Sequence, residues 1–184
     1  MNLIKRFCKD REIKNHIAGR RDRLFRTAYS WCHNRSLSDD LTQETLAKAL
    51  KKYTSLKNPE SLDCWLYGIL ANCWRDHFRQ TREHHDIDDY DFTLDITPES
   101  QYERHVVSHT IIKAVSELPA GQRQVVTLVD LEGFSYAEVA GILKTPIGTV
   151  MSRLCRARKS LAKKLLNFKS ESTNDKTPFI RSVK

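Results

Sequence analysis

Apolar residues recur every three or four positions along most of the chain, the period of an α-helix with one buried face. In "RRDRLFRTAYSWC" they are Leu24, Phe25, Ala28 and Trp31, with basic residues opposite. The polar break "NRSLSDD" follows. There the Ser38 hydroxyl is placed to cap the next helix, and Asp39 and Asp40 fall in its first turn, where the helix dipole favours acids. "DDLTQETLAKALKKY" brings Leu41, Thr45, Ala49 and Leu50 near one face. "TSLKNPES" reads as a loop because Asn58-Pro59 breaks a helix, and "LDCWLYGILANCWRDHFRQ" as a helix carrying Trp65, Leu66, Ile69, Leu70, Cys73 and Phe78. Trp65 sits in an apolar run and reads as core. These elements predict a three- or four-helix bundle over residues 14–82.

The helical period fades over residues 83–103 and returns over 104–168. "HTIIKAVSELP" is an amphipathic helix ended by Pro119, and "AGQRQVVTLVDLEG" is a second helix with Gly133 at its C-terminal cap. "SYAEVAGILK" opens on Ser135 with Glu138 three residues on, the pattern of a capping box. "TP" turns the chain, and "IGTVMSRLCRARKSLAKKLL" is the last and longest helix. Residues 169–184 read as a frayed polar tail. The predicted class is all-α: two small helical domains, an N-terminal bundle and a C-terminal four-helix domain with a helix-turn-helix, joined by a linker.

Charge changes this picture by its placement. The chain has 184 residues and a formal net charge of +8, which favours an anionic partner. Between Val139 and Ser170 there is no acid, while Lys144, Arg153, Arg156, Arg158, Lys159, Lys163, Lys164 and Lys169 all fall there. Between Glu83 and Glu103 there is no Lys or Arg, and the run "DIDDYDFTLDITPES" makes the linker acidic and self-repelling. The five cysteines are odd in number and irregular in spacing, the pattern of reduced thiols in a cytoplasmic protein. Cys32 beside His33 lacks the paired spacing of a metal site, and His84-His85 with Asp86 and Asp88 resembles a metal cluster but falls in a stretch that reads as flexible and acidic. No signal peptide and no membrane-spanning apolar run stands out. No Walker loop, HExxH, GxSxG or paired-carboxylate spacing is present, so neither an enzyme nor a cofactor is implied.

The last two helices suit a DNA reader. In a helix-turn-helix the first helix props the second into the major groove. Val139, Ala140, Leu143, Ile147, Val150 and Leu154 supply the contact between them, leaving Thr149, Ser152, Arg153 and Arg156 on the other side. Arginine grips guanine or phosphate, and Ser or Thr near a helix start suits phosphate. A plain solvated basic helix and a membrane-surface helix are the rivals, the latter with Leu161, Leu165 and Leu166 as its spare apolar residues.

At these residues the chain resembles a known family. "LPAGQRQVVTLVDLEGFSYAEVAGILKTPIGTVMSRLCRARKSL" is similar to the C-terminal promoter-reading region of extracytoplasmic-function sigma factors, the small members of the sigma-70 family. "DDLTQETLAKAL" with "WLYGILANCWRDHFR" is similar to their N-terminal region. The resemblance implies a dissociable subunit that binds core RNA polymerase and directs it to promoter DNA. It implies core-polymerase contacts at Asp39, Asp40, Leu41, Gln43 and Glu44, and minus-ten contacts at Lys57, Ser61, Leu62, Asn72, Arg75 and Arg79, with Asn72 at the pocket for an extruded base. It further implies minus-thirty-five contacts at Thr149, Ser152, Arg153, Cys155 and Arg156, and an anti-sigma factor that holds the protein inactive. Met151 stands where the family often has Arg or Lys. The alternatives are a helix-turn-helix regulator that acts without core polymerase, and an interaction module or hydrolase using Cys32 or His33.

Overall fold

The computed structural model describes residues 3–56, 58, 61–84 and 111–174; at 3–10, 55, 80–84 and 167–174 it describes the backbone alone. Among the described residues every regular element is helical. The first lobe comprises α1 (Leu3–Gly19), α2 (Arg21–Cys32), α3 (Arg35–Lys52) and α4 (Leu62–His84), with a short 3-10 turn at Tyr53–Ser55. The second comprises a helical stretch over 111–116, α5 (Ala120–Val126) continued as a π turn over Thr127–Leu131, α6 (Tyr136–Leu143) and α7 (Ile147–Asn174). Most of the acidic segment, Lys57 and residues 175–184 lie outside the described residues.

The first lobe closes around Leu24, Ala28, Trp31, Leu41, Ala49, Leu66, Tyr67 and Leu70, all nearly or wholly buried. Trp31 and Trp74 meet edge-on at 6.1 Å, and Trp74 leans on Phe78 at 4.2 Å. Trp65 is half-buried and packs against this core. Leu50, expected on the inner face, is 44% exposed.

Helix α3 starts earlier than Ser38. Asn34 is its N-cap, in extended backbone, with its side-chain oxygen accepting the Leu37 N–H at 2.9 Å. An Asn amide reaches these free N–H groups as well as a hydroxyl does, so the first suitable residue takes the role. Ser38 is buried, and its hydroxyl donates to the Asn34 carbonyl at 2.6 Å. Thr42 and Thr45 repeat the device, donating to Ser38 and Leu41 carbonyls at 2.7 Å. A hydroxyl that satisfies itself on its own helix can face a core, which hides the buried face from an apolar count. Asp39 and Asp40 therefore stand in the second turn.

In the second lobe Val125, Leu128, Val139, Val150, Leu154 and Ala157 form the buried centre. Ser135 caps α6 with the full capping box to Glu138, and Gly133 makes the preceding turn at φ 79°, a conformation glycine adopts without strain. Helix α7 continues to Asn174, past the expected end at 168, and α1 reaches back to Leu3, before residue 14.

His33 ends α2 in left-handed backbone at φ 52° and is 1% exposed, with neither ring nitrogen hydrogen-bonded among the described residues. Burial first, and the charge of Arg123 second, push its pKa down from 6.5 to about 4. The unfolded chain then binds the extra proton between those two values, so stability is fully present above pH 6.5 and falls as the pH drops toward 4. The loss is about 3 kcal/mol at most. Urea midpoints taken at pH 7 and pH 4.5 should fall less for His33→Asn, which tolerates the same backbone, than for the native chain.

Candidate nucleic-acid interface

The two helices of the helix-turn-helix are joined by a turn of three residues. Lys144 leaves α6 in left-handed backbone at φ 52°, the Thr145 N–H returns to the Ala140 carbonyl at 3.0 Å, and Pro146 opens α7. Pro146 needs no donor there, and its carbonyl accepts from Thr149 and Val150. Val139, Ile142 and Leu143 of α6 meet Val150, Leu154 and Ala157 of α7 in the core. Ala140 is only partly buried, and Ile147 is 49% exposed, so Ile147 is not part of the contact between the helices. It precedes the buried line that begins at Val150.

That packing leaves one side of α7 in solvent. Gly148, Met151, Ser152, Cys155 and Arg156 are exposed, while Thr149 and Arg153 are half-buried at the flank. The basic residues of α7 are not equivalent. Arg158 forks onto Asp130, with Nη2 2.5 Å from Oδ1 and Nε 3.2 Å from Oδ2, and Lys164 pairs with Glu117. Arg153 and Arg156 make no ion pair among the described residues. Leu161 packs against the core, whereas Leu165 and Leu166 are exposed.

The residues of the first lobe divide in the same way. On α3, Asp39 accepts from Arg21 at 2.7 Å and from Gln43 at 2.8 Å, and Glu44 pairs with Lys48 at 2.8 Å. Asp40 is exposed and unpaired among the described residues. Leu41, at 2% exposure, belongs to the core and has no surface for a partner: it is one turn from Thr45 on the buried side. Leu62 is likewise buried, at the first turn of α4. Ser61 donates to the Asn58 carbonyl at 2.8 Å and so shapes the loop before α4. Along α4, Asn72 accepts from Arg75 Nη1 at 2.9 Å, and Arg79 is exposed beside Asp76.

The lobes touch, and Arg75 is one of the residues at the contact. Arg75 Nη2 also donates to the Leu143 carbonyl at 3.2 Å, a cation at the C-terminal end of α6. Cys64 lies 3.4 Å from Glu138, whose carboxyl is held below the usual carboxylate range by Ser135, hydroxyl first and N–H second. Tyr67 and Phe134 meet edge-on at 4.9 Å. Glu132 reaches back across the lobes: Arg23 donates to it through Nε at 3.1 Å and Nη2 at 2.8 Å, and the Thr27 hydroxyl at 2.7 Å. Burial, with Glu132 next, pushes the Tyr67 phenol well above its usual range. Arg123, 4% exposed, donates to the Trp31 carbonyl at 2.5 Å and to those of Ser116 and Leu118 at 2.6 and 2.9 Å. None of Arg23, Thr27, Tyr67, Arg123 or Glu132 stands out in the sequence. The nearest signal is Arg123, a lone cation two residues before Val125-Val126.

Comparison with known proteins matches residues 17–84 to the model of sigma-70 region 2 and residues 108–161 to that of sigma-70 region 4. The chain is 36% identical over 137 residues to the ECF RNA polymerase sigma factor EcfG of Rhodopseudomonas palustris, covering 73% of this chain and 75% of that one. It is 33% identical over 168 residues to the ECF sigma factor SigE of Mycolicibacterium smegmatis, covering 89% of this chain and 63% of that one. Among solved structures it is similar to the sigma factor RpoE in its complex with the anti-sigma factor NepR from Bartonella quintana, with a TM-score of 0.70 and 28% identity over 84% of this chain and 96% of that one. It shares its fold with CnrH, solved with the cytosolic domain of CnrY, at a TM-score of 0.58 and 24% identity over 84% of this chain and 88% of that one.

Glu132→Ala removes the acceptor of Arg23 and Thr27 together. With Arg23 partly solvated, the loss should be about 1–3 kcal/mol rather than that of a fully buried pair. The lobes should come apart before either unfolds, and small-angle scattering of the variant should give a larger radius of gyration than the native chain.

Proposed function

The chain belongs to the extracytoplasmic-function sigma factors of the sigma-70 family, RNA polymerase subunits that recognise promoters, and we propose how its residues divide that work. The exposed side of α7, with Thr149, Ser152, Cys155 and Arg156, and Arg153 at its flank, engages the minus-thirty-five duplex. Asn72, Arg75 and Arg79 of α4, with Lys57 and Ser61 before it, engage the minus-ten strand. Asp39, Asp40, Gln43 and Glu44 of α3 dock on core polymerase; Leu41 and Leu62 support these surfaces from inside. The protein makes and breaks no covalent bonds. It favours melting by binding the unpaired strand better than the duplex, which shifts the opening equilibrium without ATP.

The observation that carries this reading is the stripe on α7 that packing leaves in solvent on a helix without a single acid before Glu171. A surface helix with no role toward an anion would mix its charges. The placement of Arg75 adds a consequence. The two promoter elements lie about 25 base pairs apart, roughly 85 Å of duplex. Here α6 rests on Arg75 of α4. The lobes must part to hold both elements, and the 26 residues 85–110 allow a span of up to about 90 Å.

The docked arrangement is then the resting one. The solved sigma factor that this chain matches over most of its length is bound to an anti-sigma factor, and an anti-sigma partner is proposed here too. No helix among the described residues is long and apolar enough to cross a membrane, and the proposed site of action is the cytoplasm, beside the polymerase.

Transcription in vitro with core enzyme on a genomic library tests the reading. Start sites that depend on this chain, sharing two sequence blocks upstream, are expected. A chain that neither comigrates with core enzyme on a sizing column nor adds a start site refutes it. Duplex binding that ignores core enzyme points instead to an ordinary regulator. On a promoter so found, Arg156→Ala should lower the slope of log affinity against log salt by about 0.9, one phosphate's worth. Arg158→Ala should leave that slope unchanged, because Asp130 already neutralises Arg158.

A further inference from the structure

Position 121, the second residue of α5, carries no side chain, and the space a Cβ would take is occupied by one group. A Cβ built there would lie 3.1 Å from Arg153 Cζ, 3.2 Å from its Nη1 and 3.3 Å from its Nε. All three atoms belong to the guanidinium, so Arg153 lies across bare backbone at the start of α5. Its long side chain is thereby held to one side of α7.

The direction of that side decides what Arg153 can touch. Val150, Leu154 and Ala157 mark the buried line of α7. At about 100° per residue, Ser152, Cys155 and Lys159 share the opposite, outward line. Arg153 falls about 70° from the buried line and about 130° from the outward one. A residue that reads base edges from a helix in the major groove projects from the outward line toward the groove floor. One on the flank, drawn further sideways onto a second helix, meets the groove wall, which is sugar and phosphate. Unlike Arg158 and Lys164 on the same helix, Arg153 has no carboxylate partner among the described residues, so its charge is available.

We infer that Gly121 is a positioning residue: having no side chain, it seats the Arg153 guanidinium on the flank of α7, where it holds a backbone phosphate of the minus-thirty-five duplex and reads no base. This rests on α7 being the minus-thirty-five reader. Alanine at 121 presses on the guanidinium and displaces it by a few tenths of an ångström, and any larger residue displaces it further.

The test uses the full chain with core polymerase, a promoter recovered by the transcription selection, and a set of duplexes with each minus-thirty-five base pair replaced in turn. Affinity is read by fluorescence anisotropy across a salt series. Arg153→Ala should weaken every duplex by the same factor, about tenfold, and lower the salt slope by about 0.9. Arg153→Lys should restore the slope, since a point charge suffices for a phosphate. Gly121→Ala should weaken every duplex about threefold in the native background and not at all beyond Arg153→Ala. Its melting temperature should hold or rise, since alanine suits a helix better than glycine. Arg153→Ala that relaxes preference at one base pair overturns the proposal. So does a Gly121→Ala loss that persists when Arg153 is already alanine. A native chain that selects no promoter overturns the reading of α7 and this one with it, whereas a selected promoter with a base-specific Arg153 overturns this one alone.

Discussion

A guanidinium taken out of water must find acceptors inside the protein, because each unmet N–H would cost more than a hydrogen bond returns. The two terminal nitrogens of Arg123 meet that constraint by drawing on both lobes. Ser116 and Leu118 supply carbonyls from its own lobe, and Trp31 supplies one from the end of α2. The Trp31 carbonyl is one of the four that any helix leaves unpaired at its C-terminus, and a cation there also complements the helix dipole. One buried charge thus closes the end of a helix in the first lobe and organises the turn between the 111–116 stretch and α5 in the second. The rest of the docking follows from the same element. Beyond Arg123 the backbone widens into the π turn at Thr127–Leu131, whose hydroxyl at Thr127 donates back to the Arg123 carbonyl. Glu132 leaves that turn facing Arg23 and Thr27, and Gly133 swings Phe134 onto Tyr67.

What was legible in the sequence was what is decided locally. The capping box at Ser135, the glycine turn at Gly133 and the proline at the start of α7 each act over a few residues, and the structure has them where those rules put them. Helix α3 starts earlier than its sequence pattern suggests for an equally local reason. Two residues competed for one cap, and the hydroxyl of Ser38 that looked like the cap is spent inside the helix. The resemblance places Leu41 and Leu62 among partner contacts, whereas packing buries both, Leu41 on the apolar face that its own helix shows. The partners that Arg123 and Glu132 find in the first lobe lie 92 to 109 residues away, and no periodicity connects residues so far apart. A charged residue in a sequence carries no mark of whether water or a carbonyl will solvate it.

The same ambiguity governs the basic helix. Counted along the chain, every Arg and Lys of α7 is a possible DNA contact. In the fold, Arg158 and Lys164 pair with Asp130 and Glu117, while Arg153 and Arg156 make no ion pair among the described residues. The acids that neutralise the first pair lie outside the acid-free stretch, Asp130 in the π turn and Glu117 between the 111–116 stretch and α5. Net charge therefore overstates the surface offered to DNA, and the side of the helix a residue occupies says more than its sign.

The chemistry of the contact between the lobes bears on how it opens. An interface built of leucine and valine would lose its stabilisation only by exposing oil to water. This one joins the lobes through a shared buried apolar cluster and adds charged and polar pins to it: Arg23 and Thr27 on Glu132, Arg75 on the Leu143 carbonyl, Arg123 on Trp31, beside the Tyr67–Phe134 contact. Each pin can be exchanged for water at small net cost once solvent reaches it. Arg75 can exchange the Leu143 carbonyl for a phosphate, which carries a full charge and makes the stronger bond. On the proposed reading of Arg75 as a minus-ten contact, DNA competes directly for a group that bridges the lobes. Docking and promoter engagement are then alternatives for the same side chain, and a partner shifts the balance only by the difference in its affinity for the two arrangements.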